Sequence, residues 1–333
     1  MTIAEHTPTR VLVLGGCGFI GRHAVKALLQ LNAEVTVGTR NPDDPDHKFL
    51  FQASTQPGKP LVENLPVPEE SGKASPQNYK FRKVCLEDMQ QPESWSALLS
   101  EVDVVLNCVG ILRPVGAATY DVVHHLAPLS LVQACEVQHK RVVHVSALGL
   151  KVPASSGFLT SKQAGEAAIK KLHANWIIVR PSLLDGEGGY GAAWLRGVSK
   201  LPLFVAPADA LGKIAAFMVE DLGEALARLC LESDNKLRLE TSRVFELGGN
   251  SPVNFEAYIR GLRRRYKTSE ALCIKIPGFL ARLGAHICDL FYITPFSFGH
   301  WELLRRDNTP APNRLPELLG REPAPVVSPV QPK

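Results

Sequence analysis

Short apolar runs alternate with segments of helical period along the first half of this 333-residue chain. The runs fall at Val11–Leu14, Val35–Val37, Lys83–Leu86, Val104–Val109, Val142–Val145 and Trp176–Val179. Between them lie the helical patterns Arg22–Leu31, Ser94–Leu99, Leu126–Gln138 and Ser161–His173. Strands that are apolar throughout are buried on both faces. The pattern therefore predicts an α/β, Rossmann-type doubly wound parallel sheet. Val244–Leu247 reads as a late strand, and 244–250 is expected to return to the sheet edge. Residues 41–80 break the rhythm with repeated Pro, Ser, Gly and Glu, so a polar surface insertion is expected there.

Beyond Leu183 the alternation stops and a small, mostly helical lobe is expected. Val219, Leu222, Leu226 and Leu229 mark one helix, and Phe255–Tyr266 marks another. In Ile276–Ile293, the side chains of Phe279, Leu280, Leu283, Ile287, Leu290 and Phe291 form an apolar stripe. Such a stripe usually covers a core; contact with a protein partner or a membrane surface through 276–293 is the alternative. The expected organisation is a dinucleotide-binding domain over 1–182, a substrate or partner lobe over 183–308, and a Pro-rich tail over 309–333, frayed or draped on the surface.

The first strand runs straight into Gly15-Gly16-Cys17-Gly18-Phe19-Ile20-Gly21-Arg22. A glycine-rich turn that opens a helix leaves backbone N–H groups unpaired at the positive end of the helix dipole. That arrangement suits a pyrophosphate. Gly15, Gly18, Phe19, Ile20, Gly21 and Arg22 are therefore the candidate phosphate-loop residues. Arg40 closes the second strand, where a carboxylate would hold the ribose hydroxyls of NAD and repel a 2′-phosphate. NADP(H) is accordingly favoured over NAD(H), with Arg22 as a second cation. Two further strand ends should reach the same ligand. Asp88 is assigned to adenine, and Cys108, Val109 and Gly110 to a close backbone approach at the ribose.

Composition narrows the field. Net charge is +4 and 45% of residues are apolar, so no nucleic-acid partner is expected. The basic run 260–267 reads as one solvated helix face. Seven cysteines are scattered without metal spacing and read as reduced thiols, and the histidines show no metal pattern. His124 and His125 are assigned to a helix surface and its edge. No secretory leader pattern precedes Val11 and no apolar run is long enough to span a bilayer. A cytoplasmic location, peripheral to a membrane at most, is the expectation.

Over roughly residues 10–250 the chain resembles the short-chain dehydrogenase/reductase superfamily, in its extended and atypical branches. The resemblance rests on Gly15-x-x-Gly18-x-x-Gly21, Asp88, Asn107-Cys108-Val109-Gly110, His144-Val145-Ser146, Lys162, Arg180-Pro181-Ser182 and Val219-Glu220-Asp221. Ser155–Glu166 and Pro295–Asn308 are similar, more narrowly, to the branch of the nucleotide-binding accessory subunit of respiratory complex I and its bacterial relatives. The resemblance implies that Ser146 and Lys162 serve the nicotinamide half, with Pro181 beside the coenzyme. It also implies a tyrosine four residues before the lysine, and here that position is Phe158. Phenylalanine keeps the ring and loses the proton. The expectation is a dinucleotide-binding protein with a structural, assembly or sensory role at a respiratory or quinone-handling system. The alternative is an NADPH-dependent reductase or epimerase-type enzyme with another proton donor, for which Tyr120, Tyr190 and Cys108 are the candidates.

Overall fold

The computed structural model describes residues 7–44, 47, 78–266, 269–292 and 294–327. Most of the expected insertion over 41–80 lies outside the described residues. The first half runs β1 (Arg10–Leu14), α1 (Phe19–Gln30), β2 (Glu34–Thr39), β3 (Tyr79–Lys83), α2 (Ser96–Leu99) and β4 (Val104–Asn107). It continues with α3 (Ala127–Val137), β5 (Arg141–Val145), α4 (Gly157–Ile169) and β6 (Asn175–Pro181). The second half opens with β7 (Leu184–Asp185), α5 (Tyr190–Ser199), β8 (Leu203–Pro207), β9 (Lys213–Ile214) and β10 (Phe217–Met218). Then come α6 (Val219–Leu231), α7 (Asp234–Leu237), β11 (Val244–Leu247), β12 (Val253–Asn254) and α8 (Phe255–Arg264). The last elements are β13 (Leu272–Ile276), α9 (Gly278–Phe291), α10 (Phe298–Leu304) and α11 (Leu315–Leu319).

Seven strands form one parallel sheet in the order β3-β2-β1-β4-β5-β6-β11. The late strand does return to the edge, pairing Val244 with Ile178. Side chains of β1 alternate between two cores. Val11 and Val13 face the layer of α1 and α6, whereas Leu12 and Leu14 face Trp95, Leu131 and Ile169 on the other side. Covering both faces is what makes these strands apolar without a period-two pattern. The chain order reverses between β1 and β4, so their carboxyl ends open a crevice there.

Three expectations are corrected. The third strand is Tyr79–Lys83, four residues earlier than the apolar run Lys83–Leu86, because Leu86–Asp88 form a 3-10 turn. This edge strand keeps only Tyr79 and Phe81 packed against the core. The tail does not fray over 309–327. Leu315, Leu318 and Leu319 join the core beneath α6, and Arg321 pairs with Asp221 at 2.8 Å. The basic run 260–267 is not simply solvated. Arg263 is buried and donates to the carbonyls of Leu201 (2.7 Å) and Ser199 (3.1 Å).

The lobe beyond β6 has its own core of Phe204, Ile214, Tyr258, Leu262 and Leu304. Its small ribbons are β7 with β10, β9 with β12, and β8 with β13. Helix α10 reaches from this lobe back to the start of α4. The Glu302 carboxylate accepts hydrogen bonds from the N–H groups of Ser155 and Ser156, both at 2.8 Å. A carboxylate at a helix N-terminus meets unpaired donors and a favourable dipole. That contact fixes the lobe against the helix carrying Phe158 and Lys162.

Candidate functional site

The crevice beyond β1 and β4 is a cleft of about 340 Å³. Gly15, Cys17 and Gly18 line its phosphate end, Arg40 its outer end, and Val109 and Gly110 its inner wall. Gly15 has φ +70°, and the Gly18 N–H donates to its carbonyl at 2.9 Å. A Cβ on Gly21 would stand 2.2 Å from the Gly15 oxygen, so the first turn of α1 presses directly on the loop. Gly18 caps α1 without a side-chain bond, and the first turn carries no acidic residue. These unclaimed N–H groups fit a pyrophosphate.

The other phosphate-loop residues have different surroundings. The Arg22 guanidinium folds back to the carbonyls of Cys17 and Gly18, each at 3.2 Å, and lies against Gly188. It is not among the residues that line the cleft with Arg40. Phe19 packs over Gly189 and edge-on to His23, and Ile20 packs into the core. In the turn after β3, Glu87 lines the cleft and Asp88 is exposed. Successive residues of a tight turn point to different sides, and the sequence carries no signal for which of two adjacent acids points in.

Gly110 joins this half of the cleft to the nicotinamide end. A Cβ there would lie 3.8 Å from both Lys162 Nζ and His124 Nε2. Lys162 is buried on α4, and desolvation pulls its amine down to about 8 against the raising pull of Glu166. Ser146 follows β5, buried beside the Glu166 carboxylate, whose charged form its hydroxyl favours.

Behind them sits a buried ion cluster. Arg180 holds Glu166 through Nε at 2.9 Å and through Nη2, and Glu246 at 3.2 Å, while Lys170 reaches Glu166 at 2.8 Å. Burial alone would raise the Glu166 pKa, but Arg180 outweighs it and holds the carboxyl down at about 2. Pro181, at the end of β6, is buried, and its carbonyl accepts from Leu148 N–H at 3.1 Å.

Phe158 is enclosed. Its ring meets His124 at 5.6 Å, Tyr120 at 6.1 Å and His300 at 6.0 Å, and Lys162 Nζ lies 5.7 Å from its centre. Gly299 of α10 leaves room for it, since a Cβ there would sit 3.1 Å from the ring. His124, expected on a helix surface, is buried. Its Nδ1 meets Ser161 Oγ at 2.9 Å, and its Nε2 accepts from the Ile111 N–H at 3.2 Å. Desolvation, reinforced by Lys162, pulls its pKa down to about 2, so it is neutral and bridges the β4 loop to α4.

The alternative proton donors are placed as follows. Tyr120 donates its hydroxyl to the Leu112 carbonyl at 2.7 Å, and burial pushes its pKa up to about 12. Burial also pushes the Cys108 thiol up, and its side chain packs toward the core. Tyr190 is exposed at the start of α5.

Cleft, loop and sheet together define a dinucleotide-binding α/β protein of the extended short-chain dehydrogenase/reductase kind. The chain belongs to the NAD dependent epimerase/dehydratase family, whose model matches residues 11–200. It is 24% identical over 220 residues to a ceramide reductase of Caulobacter vibrioides, a match covering 66% of this chain and 60% of that protein. It is also 23% identical over 286 residues to the mitochondrial NADH dehydrogenase [ubiquinone] 1 alpha subcomplex subunit 9 of Dictyostelium discoideum, covering 85% of this chain and 71% of that one. Among solved structures, UDP-glucuronic acid 4-epimerase from Bacillus cereus superposes with a TM-score of 0.60 at 16% identity, covering 96% of this chain and 95% of that one. At this identity the likeness is one of fold. No helix among the described residues is long and apolar enough to cross a membrane, and none of their acidic, His or Cys side chains cluster to hold a metal ion.

Proposed function

We propose that this chain holds NADP(H) in the cleft and works as a structural, assembly or sensory component, with little or no turnover. Phe158 carries the reading. A nicotinamide coenzyme supplies a hydride donor or acceptor, and the protein around it must supply a proton. A ring with no hydroxyl, packed against His124, His300 and Gly299, cannot do so. Loss of a positioned general acid typically removes ~10²–10⁴-fold of rate. Tyr120 and Cys108 are poor substitutes, because one hydroxyl is engaged and the other group's pKa is raised by burial.

The preference for the phosphorylated coenzyme rests on Arg40 at the cleft wall, with a neutral Gly38-Thr39 before it. The name of the Dictyostelium relative, and the length over which it matches, support a place at a respiratory or quinone-handling assembly.

A second reading, an NADPH-dependent reductase, draws on Lys162. Its amine, brought to about 8, is close enough to neutral pH to exchange a proton. The Caulobacter relative's name points the same way.

The test is to load purified protein with NADPH and challenge it with carbonyl, quinone and sugar-nucleotide panels. Retained, unconsumed NADPH is the expected result. Oxidation well above the rate of free NADPH would favour the reductase reading and end the first.

A further inference from the structure

Helix α9 is attached the wrong way round for a core helix. With 3.6 residues per turn, Phe279, Leu280, Leu283, Ile287, Leu290 and Phe291 fall within about 120° of its circumference. All six are exposed, from 43% at Ile287 to 71% at Phe279. The opposite side, Ala281 and Ala285, is the one packed on Trp301, and His286 stacks on Phe298 at 4.4 Å. The helix is thus fastened by small residues and turns its large apolar side chains outward. The strand leading into it does likewise. Leu272 and Ile274 of β13 pair with Leu203 and Val205 of β8, and all four are exposed. Exposure on this scale in one lobe marks a surface that is covered in use.

Charge indicates by what. Carboxylates around the helix are neutralised within the protein. Asp289 pairs with Arg113 at 3.0 Å, Asp209 with Arg305 at 3.0 Å, and Glu256 with Arg260 at 3.0 Å and Lys275 at 3.3 Å. Arg282, on the polar flank of α9, has no carboxylate partner among the described residues and lies over the Phe298 ring at 5.6 Å. Tyr292 sits at the helix end, half exposed, with its hydroxyl donating to the Pro114 carbonyl at 2.9 Å. The stripe of Phe, Leu and Ile on the outer side of this one helix is edged by a tyrosine and by an arginine without a carboxylate partner among the described residues. It matches a helix lying in the plane of an anionic lipid surface.

We propose that α9 seats this protein on an anionic lipid surface, with the stripe in the acyl boundary and Arg282 among the headgroups. The inference is independent of whether the coenzyme turns over. It also orients the cleft. Arg113 and Pro114 tie the helix end to the loop that follows Gly110 and Ile111 of the cleft wall, so the nicotinamide end lies beside the lipid.

Flotation of the full chain with vesicles of phosphatidylcholine, alone or mixed with phosphatidylglycerol, tests the proposal. Binding to the mixed vesicles that weakens with salt is expected. The double substitution Leu283→Asp, Ile287→Asp should abolish flotation while leaving NADPH affinity unchanged, which shows that the variant is folded. Arg282→Ala should lower partition to the anionic vesicles roughly fivefold. Absence of wild-type flotation with the anionic mixture, or equal flotation of the double variant, would overturn the idea. So would a self-associated protein that the double variant disperses and that never binds vesicles, since the stripe would then meet a second copy.

Discussion

The two ends of the cleft solve opposite problems with the same backbone scaffold. At the phosphate end the chain keeps polar groups free: α1 starts without a capping side chain or an acidic residue, and Arg40 lines the wall. At the nicotinamide end it closes polar groups in. His124 is locked between Ile111 and Ser161, Tyr120 donates to Leu112, and Phe158 packs against Gly299 and His300. One end of the cleft thus leaves donors open, and the other is bordered by engaged polar groups and aromatic rings. Lys162 is the exception, a buried amine whose pKa desolvation lowers to about 8.

The contrast is broken most severely at Gly21. Any side chain there would collide with the Gly15 carbonyl, so Gly21→Val should weaken dinucleotide binding more than ~100-fold, equivalent to over 2.7 kcal/mol. Calorimetric titration checks it, and a melting curve separates lost affinity from lost fold. The opposite end is tested through its ion cluster. Glu166→Gln leaves Arg180 short of a charge partner in a buried site and should cost roughly 3 kcal/mol of stability. The native Glu166 pKa, about 2, lies below its usual value. Its stabilising contribution is therefore complete above about 4.5 and disappears as pH falls toward 2. Acid unfolding curves of the variant should flatten in that window.

A smaller effect sharpens the comparison. Lys162→Met should lower affinity for the whole dinucleotide about tenfold, the worth of one charge-assisted hydrogen bond. Affinity for the adenosine half, measured with 2′-phospho-ADP-ribose, should be unchanged. In the wild type the lysine loses its charge as pH rises through about 8, so NADPH affinity should decline there and the variant's should not.

Sequence periodicity carried the sheet because the strands are apolar on both faces, and the glycine spacing carried the phosphate loop because sterics leave little choice. Other features were hidden for physical reasons. A stripe at helical spacing says that a helix is amphipathic but not which way it faces, so α9 read as a core-covering helix although Ala281 and Ala285 are its contact side. Arg22 looked like a free cation because carbonyl partners such as those of Cys17 and Gly18 leave no trace in a sequence. Leu315, Leu318 and Leu319 were masked by the prolines around them, although their spacing is helical. The packing of Phe158 depends on Gly299 and His300, about 140 positions away, which only tertiary contact brings to α4.

Titration calorimetry of the purified chain with NADPH and NADH, repeated on Arg40→Asp, bears most directly on whether this is a coenzyme-holding protein. The wild type should bind NADPH saturably and about tenfold or more tighter than NADH, and the variant should lose or reverse that preference. Absence of heat with either coenzyme would contradict the entire reading of the cleft.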